Sequence, residues 1–236
     1  MTAAARKLHQ MHRGVPSIGA LVVGQSPRPE IESEFRHLAG DTAKLVLRGA
    51  LDGLSRAEID ALVPEDDADT LFTRLPNGDG VKISKQQVIR HGADQLENLH
   101  AEGVDVVIML CTGSFPQWSD RDGVLFPSRT VAAMVSGVLP TGRLGVFSPL
   151  QEQCAQSAKR WQEKGYEVVS MALSPNADAE AAKAAATAMA GHAPQLLVMD
   201  CISYTRQTKH ILSAITGAPA ILGVSSAIRS ALELVD

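Results

Sequence analysis

Two cysteines of this chain stand where a fold could use them. Cys111 closes the apolar run Val106-Val107-Ile108-Met109-Leu110 and is followed by Thr112, Gly113 and Ser114. Cys201 closes Gln195-Leu196-Leu197-Val198-Met199-Asp200 and is followed by Ile202, Ser203 and Tyr204. A thiolate is a base and a nucleophile, and a thiol is an acid. One thiolate can therefore take a proton from a carbon next to a carboxylate while a second thiol delivers one from the opposite face, inverting that carbon. Such a carbon acid is far weaker than a thiol, so the developing enolate needs donors. The backbone N–H groups and hydroxyls of Thr112, Gly113, Ser114, Ile202 and Ser203 are placed by sequence to supply them. Racemisation or epimerisation is the leading reading. Decarboxylation or cis-trans isomerisation in which one cysteine dominates is the alternative, and a non-catalytic carboxylate-binding protein is a third. The plain alternative for each sulfur is core packing, since cysteine is among the most buried residue types. Cys154, in a predicted helix beside Ala155 and Ala158, needs no more than that.

These residues have to be carried by strands. Ser17 to Gly24 reads as a first buried strand that runs into the loop Gln25-Ser26-Pro27-Arg28, and Pro29 suits the first turn of a helix with Glu30 and Glu32 at its positive end. This loop is a candidate anion site, because Ser26 offers a donor and Arg28 a charge next to unpaired helix N–H groups. Thr42 to Leu51 is a second strand. Ser55 with Glu58 has capping-box spacing, and Asn77-Gly78 between alternating apolar residues marks a hairpin within Asp69 to Ser84. A helix starting at Ser84 leads to the strand ending at Cys111, and Phe115 to Leu125 reads as a loop. From Phe126 onward, helices and strands alternate to the end of the chain. This alternation predicts α/β architecture, with parallel sheets covered by helices on both faces.

Length and the two cysteine-bearing strands argue for two doubly wound domains: residues 17–125, with 225–236 packing back onto them, and residues 126–224. Residues 1–16 form a leader. Right-handed crossovers put ligand groups at the C-terminal strand ends, so Gly24, Cys111 and Cys201 are expected to converge on an interdomain cleft. Tyr204 and Arg206, just past Cys201, are expected to reach into it, with Arg206 as a second carboxylate anchor and Arg129 as a further candidate.

Composition limits the partners. A net charge of -4 and 20% charged residues give no general attraction to nucleic acid. The chain has no apolar run long enough for a membrane span, and its start lacks the apolar segment of a secretory signal, so the cytoplasm is the default location. Three widely spaced cysteines predict free thiols, and the absence of CxxC and HExxH patterns leaves a metal site without support. No GxGxxG or lysine-bearing phosphate loop is present. A homodimer is the default assembly.

The opening Ile18-Gly19 strand, Gly53-Leu54-Ser55-Arg56 with Glu58, the hairpin, Leu144-Gly145-Val146 with Pro149, and Met199-Asp200-Cys201 resemble the AroM-like proteins of the aspartate/glutamate racemase superfamily. The resemblance covers the chain from about Ser17. It implies two pseudo-symmetric parallel-sheet domains, no metal or pyridoxal cofactor, and a small carboxylate-bearing substrate. It implies Cys111, flanked by Thr112, as the first catalytic thiol and Cys201 as the second. Amino-acid racemases of this superfamily often carry an acidic residue where this chain has Gln25-Ser26, and Thr-His where it has Ile202-Ser203. These differences point away from glutamate or aspartate as substrate.

Overall fold

The computed structural model describes residues 14–118, 121 and 123–235, so most of the leader expected over residues 1–16 lies outside it. The chain forms two compact units. One runs to Pro127 and includes the segment from Ala227, and the other is Ser128–Ser226.

The first unit contains β1 (Ser17–Val22), α1 (Pro29–Ala39), β2 (Lys44–Gly49), α2 (Arg56–Asp60), β3 (Thr70–Arg74), β4 (Gly80–Ser84), α3 (Lys85–Ala101), β5 (Val106–Leu110) and β6 (Val124–Leu125). β2-β1-β5-β6 is a parallel sheet, with Val22 beside Leu110 in the register of β1 and β5. β5 is buried along its whole length. A central parallel strand has helices on both faces, which is why its sequence is continuously apolar rather than alternating. β3 and β4 form the expected antiparallel hairpin. Ser55 and Glu58 form the full capping box at the head of α2. β6 lies inside the segment expected to be a loop. Its two residues pair only with β5, too short a stretch to leave a periodic signal.

The second unit is opened by α4 (Pro127–Val138) and continues through β7 (Arg143–Ser148), α5 (Gln151–Gln162), β8 (Glu167–Ala172), α6 (Ala179–Ala190), β9 (Leu196–Met199), α7 (Arg206–Thr216), β10 (Ala220–Leu222) and the start of α8 (Gly223–Val235). Its sheet order, β8-β7-β9-β10, is that of the first unit. The fold is thus α/β, with two pseudo-symmetric parallel-sheet units.

The symmetry extends to packing. Gly19 in β1 and Gly145 in β7 occupy the same place in their central strands. A Cβ on Gly19 would lie 2.9 Å from Val104 and 3.3 Å from Leu99 of α3, and one on Gly145 would lie 2.7 Å from Leu197 and 2.8 Å from Met189 of α6. Both glycines let a helix close against the sheet, and each unit has its own core, which includes Leu21, Leu99 and Met109 in the first and Leu144, Val198 and Trp161 in the second. Among the described residues, no helix is long and apolar enough to cross a membrane.

Candidate active site

In the first unit, β5 ends in a tight turn in which the Cys111 N–H donates to the Met109 carbonyl at 2.7 Å. The turn directs the chain back so that the Gly113 N–H donates to Cys111 Sγ at 3.3 Å. Cys111 is partly exposed, Thr112 is buried and Ser114 is exposed. A Cβ on Gly113 would lie 3.3 Å from Cys111 Sγ, 3.5 Å from Phe115 and 3.7 Å from Leu71 of β3. Phe115 is buried, with Trp118 stacked on it at 5.3 Å and the Lys85 ammonium 5.7 Å over its ring.

The neighbouring β1 tip is tied down by its own donors. The Gln25 side-chain amide donates to the Leu51 carbonyl at 3.1 Å and to the Leu54 carbonyl at 2.7 Å. Two carbonyl partners require Nε2 on that side, so the orientation of the amide is decided. Ser26 gives its N–H and its hydroxyl to Asp52 at 2.7 and 2.8 Å, and Asp52 also accepts the Gly49 N–H at 2.7 Å. Arg28 is buried and donates through Nε to Glu30 at 2.7 Å. Gln25, Ser26 and Arg28 are thus brought to one strand tip, but the donors expected to meet a substrate there engage the protein itself. Asp52, which organises this loop, escaped the sequence reading. A lone aspartate after a strand carries no pattern.

In the second unit, β9 is followed by Asp200, whose N–H donates to the Phe147 carbonyl at 2.8 Å. Its carboxylate accepts the Ser157 hydroxyl at 2.6 Å and pairs with Arg160, both on α5. Asp200 therefore binds the strand end to a helix. Cys201 is only 8% exposed, and Ile202 and Ser203 are also buried. The Tyr204 hydroxyl donates to the Leu173 carbonyl at 2.5 Å. Burial pushes the Tyr204 phenol well up, and the nearby Cys201, Asp200 and Cys154 act in the same direction, so it stays neutral. Arg206 begins α7, and Arg129 lies in the first turn of α4. Cys154 donates to the Leu150 carbonyl at 3.6 Å. Burial pushes its thiol up, and the nearby Ser170 and Ser148 hydroxyls work in the other direction.

The family model described as AroM protein matches residues 18–235. The chain belongs to the AroM family. No curated protein matches this AroM chain in sequence. Among solved structures, arylmalonate decarboxylase superposes with a TM-score of 0.62 at 14% identity, over 94% of this chain and 93% of that one. A maleate cis-trans isomerase from Nocardia farcinica, carrying a covalently bound succinylcysteine intermediate, superposes at 0.60 and 14%, over 94% of each chain. Allantoin racemase from Klebsiella pneumoniae superposes at 0.55 and 14%, over 93% of this chain and 87% of that one. At these identities the likeness is one of fold.

Proposed function

We propose that this AroM protein is a cofactor-independent enzyme acting at a carbon next to a carboxylate, with Cys111 as its principal thiol. The observation that carries the proposal is Cys111 itself: a partly exposed residue at a C-terminal strand tip, its sulfur accepting the Gly113 N–H at 3.3 Å. The sequence alone favours inversion by two thiols. Two considerations put one-thiol reactions first. The surroundings of Cys111 and Cys201 are unequal, and the fold is shared with a decarboxylase and a cis-trans isomerase as well as a racemase.

In isomerisation, the Cys111 thiolate adds to one alkene carbon. The π pair moves to the neighbouring carbon and into its carboxylate, the new single bond rotates, and the pair returns as the C–S bond breaks. In decarboxylation, the C–C bond to one carboxylate breaks, carbon dioxide leaves, the electron pair delocalises into the remaining carboxylate, and the thiol protonates the carbon. The second reading, inversion with Cys201 as partner acid, is supported by Cys201 occupying a strand end of the same sheet order.

The test is a panel of arylmalonates, maleate and chiral amino and hydroxy acids, assayed in deuterium oxide for product and for deuterium at the reacting carbon. Cys111→Ala should lower turnover by roughly 10²–10⁴-fold, the usual worth of a positioned acid or base. Cys201→Ala should leave a measurable rate. Undiminished turnover in Cys111→Ala refutes the proposal, and equal loss in both variants with deuterium entering from either enantiomer establishes two-thiol inversion instead.

A further inference from the structure

We propose that Lys85 is the carboxylate-anchoring cation of the Cys111 strand tip. This rests on the reading that the tip accepts carboxylate-bearing molecules. Lys85 is the first residue of α3, which leads directly into β5. A helix that precedes a parallel strand runs back along it, so the N-terminus of α3 lies at the end of the sheet where Cys111 stands. The Lys85 ammonium lies 5.7 Å over the Phe115 ring, and the same ring lies 3.5 Å from the Cβ direction of Gly113, which is itself 3.3 Å from Cys111 Sγ. Lys85 and Cys111 thus both border the Gly113–Phe115 segment that follows β5.

The other described arginines of this unit with ion pairs hold carboxylates already. Arg28 pairs with Glu30, Arg48 with Glu102, Arg56 with Asp60 and Asp79, and Arg121 with Glu97. Lys85 is half-buried, and among the described residues no carboxylate pairs with it. Its place also runs against helix electrostatics. A cation at the positive end of a 17-residue helix with no acidic residue in its first turn gains nothing from the helix dipole. The contact with the Phe115 ring holds the ammonium at this end of the sheet in place of an ion pair.

A separate observation marks the same strand tips. β3 lays Leu71 against Gly113 and Thr73 against Gly24, with Thr73 Oγ1 2.4 Å from the Cβ direction of Gly24. Thr73 is 1% exposed, and its hydroxyl has no hydrogen-bond partner among the described residues. The hairpin thus turns an unused hydroxyl toward the β1 tip, at the end of the sheet where Lys85 stands. Together they suit an anion that brings its own acceptors. Gln25 and Ser26, whose donors are engaged, do not.

The experiment measures malonate binding to the full chain by calorimetry, in the wild type, Lys85→Met, Lys85→Arg and Cys111→Ala. Lys85→Met keeps the apolar stem over Phe115 and removes only the charge. It should weaken binding about tenfold or more, as expected for loss of a charge-assisted contact. Lys85→Arg should bind nearly as the wild type does, and so should Cys111→Ala. Wild-type affinity in Lys85→Met, or no saturable binding by the wild type, overturns the anchor. Malonate binding that depends on Lys85 while no carboxylate is turned over leaves the anchor standing and refutes the catalytic reading. Turnover that depends on Cys111, with an unchanged KM in Lys85→Met, does the reverse.

Discussion

Cys111 is partly exposed, and Gly113 approaches its sulfur on one side, which makes its reactivity testable one residue at a time. A methyl group at Gly113 would lie 3.3 Å from Sγ, tighter than most side-chain contacts, and 3.5 Å from Phe115, an ordinary contact. Gly113→Ala should therefore slow iodoacetamide alkylation of Cys111 several-fold while leaving the melting temperature close to wild type. Mass-spectrometric mapping of the modified peptide measures the first effect and a thermal melt the second. In the wild type, limited alkylation should reach Cys111 before the other two thiols, because Cys201 is 8% exposed and burial pushes the Cys154 thiol up. Prior modification of Cys201 would contradict the unequal roles proposed for the two strand-tip thiols.

Asp69 gives a pH dependence at the same scale. Burial works to raise its pKa, but the Ser84 hydroxyl and the N–H groups of Gln86, Glu65 and Lys85 together outweigh burial and hold the carboxyl below its ordinary value. Because the folded pKa is the lower one, protonation favours the unfolded chain. The contribution is full above the unfolded value, near 4, and is lost as pH falls through the folded one. Urea unfolding of the wild type should lose more stability between about pH 5 and pH 3 than unfolding of Asp69→Asn does, since the asparagine has no proton to gain there. Equal losses would mean that other carboxylates carry the acid sensitivity.

At the scale of elements, the central strands are specified by absence of bulk as much as by apolar pattern. Gly145 admits Leu197 and Met189 to within 2.8 Å of where its Cβ would be, and Gly19 admits Val104 to 2.9 Å. Gly145→Ala should cost about 1–3 kcal/mol through overpacking, read as a lower urea midpoint with an unchanged slope. A neutral result would show that α6 can move off the sheet. The β9 tip is held in a different way. Asp200 bonds to Ser157 and Arg160, so α5 and the strand carrying Cys201 are joined through one carboxylate. The capping box at Ser55 and the Asn77-Gly78 hairpin were legible because each signature lies within a few residues of chain. β6 was not, because a two-residue strand exists only through its partner.

For the whole molecule, the repeated sheet order means that the two strand-end thiols stand in halves of the same strand order but in different surroundings. The first half adds a hairpin whose β3 residues touch both of its strand tips. The second buries Cys201 among Ile202, Ser203 and Tyr204. Whether the two strand-end thiols act as a pair or one of them acts alone is a property of the whole chain. The deuterium assay on Cys111→Ala and Cys201→Ala answers it.

The sequence by itself determined the alternation of strands and helices, the parallel sheets, the hairpin, the caps and the positions of both cysteines at strand ends. Hydrophobic period, turn residues and capping residues act over short stretches of chain, and each is written there directly. The AroM resemblance was legible for the same reason, in Ile18-Gly19, Leu144-Gly145-Val146 and Met199-Asp200-Cys201. Only the tertiary structure decided how the polar groups are used. Ser26 and Gln25 read as donors for a substrate until Asp52 and the carbonyls of Leu51 and Leu54, more than twenty residues away, claimed them. Lys85 carries no signal in the sequence, and only the fold brings Phe115, thirty residues on, under it. A hydrogen-bond donor or a charge has no fixed meaning in a sequence, because its partner is chosen by the fold.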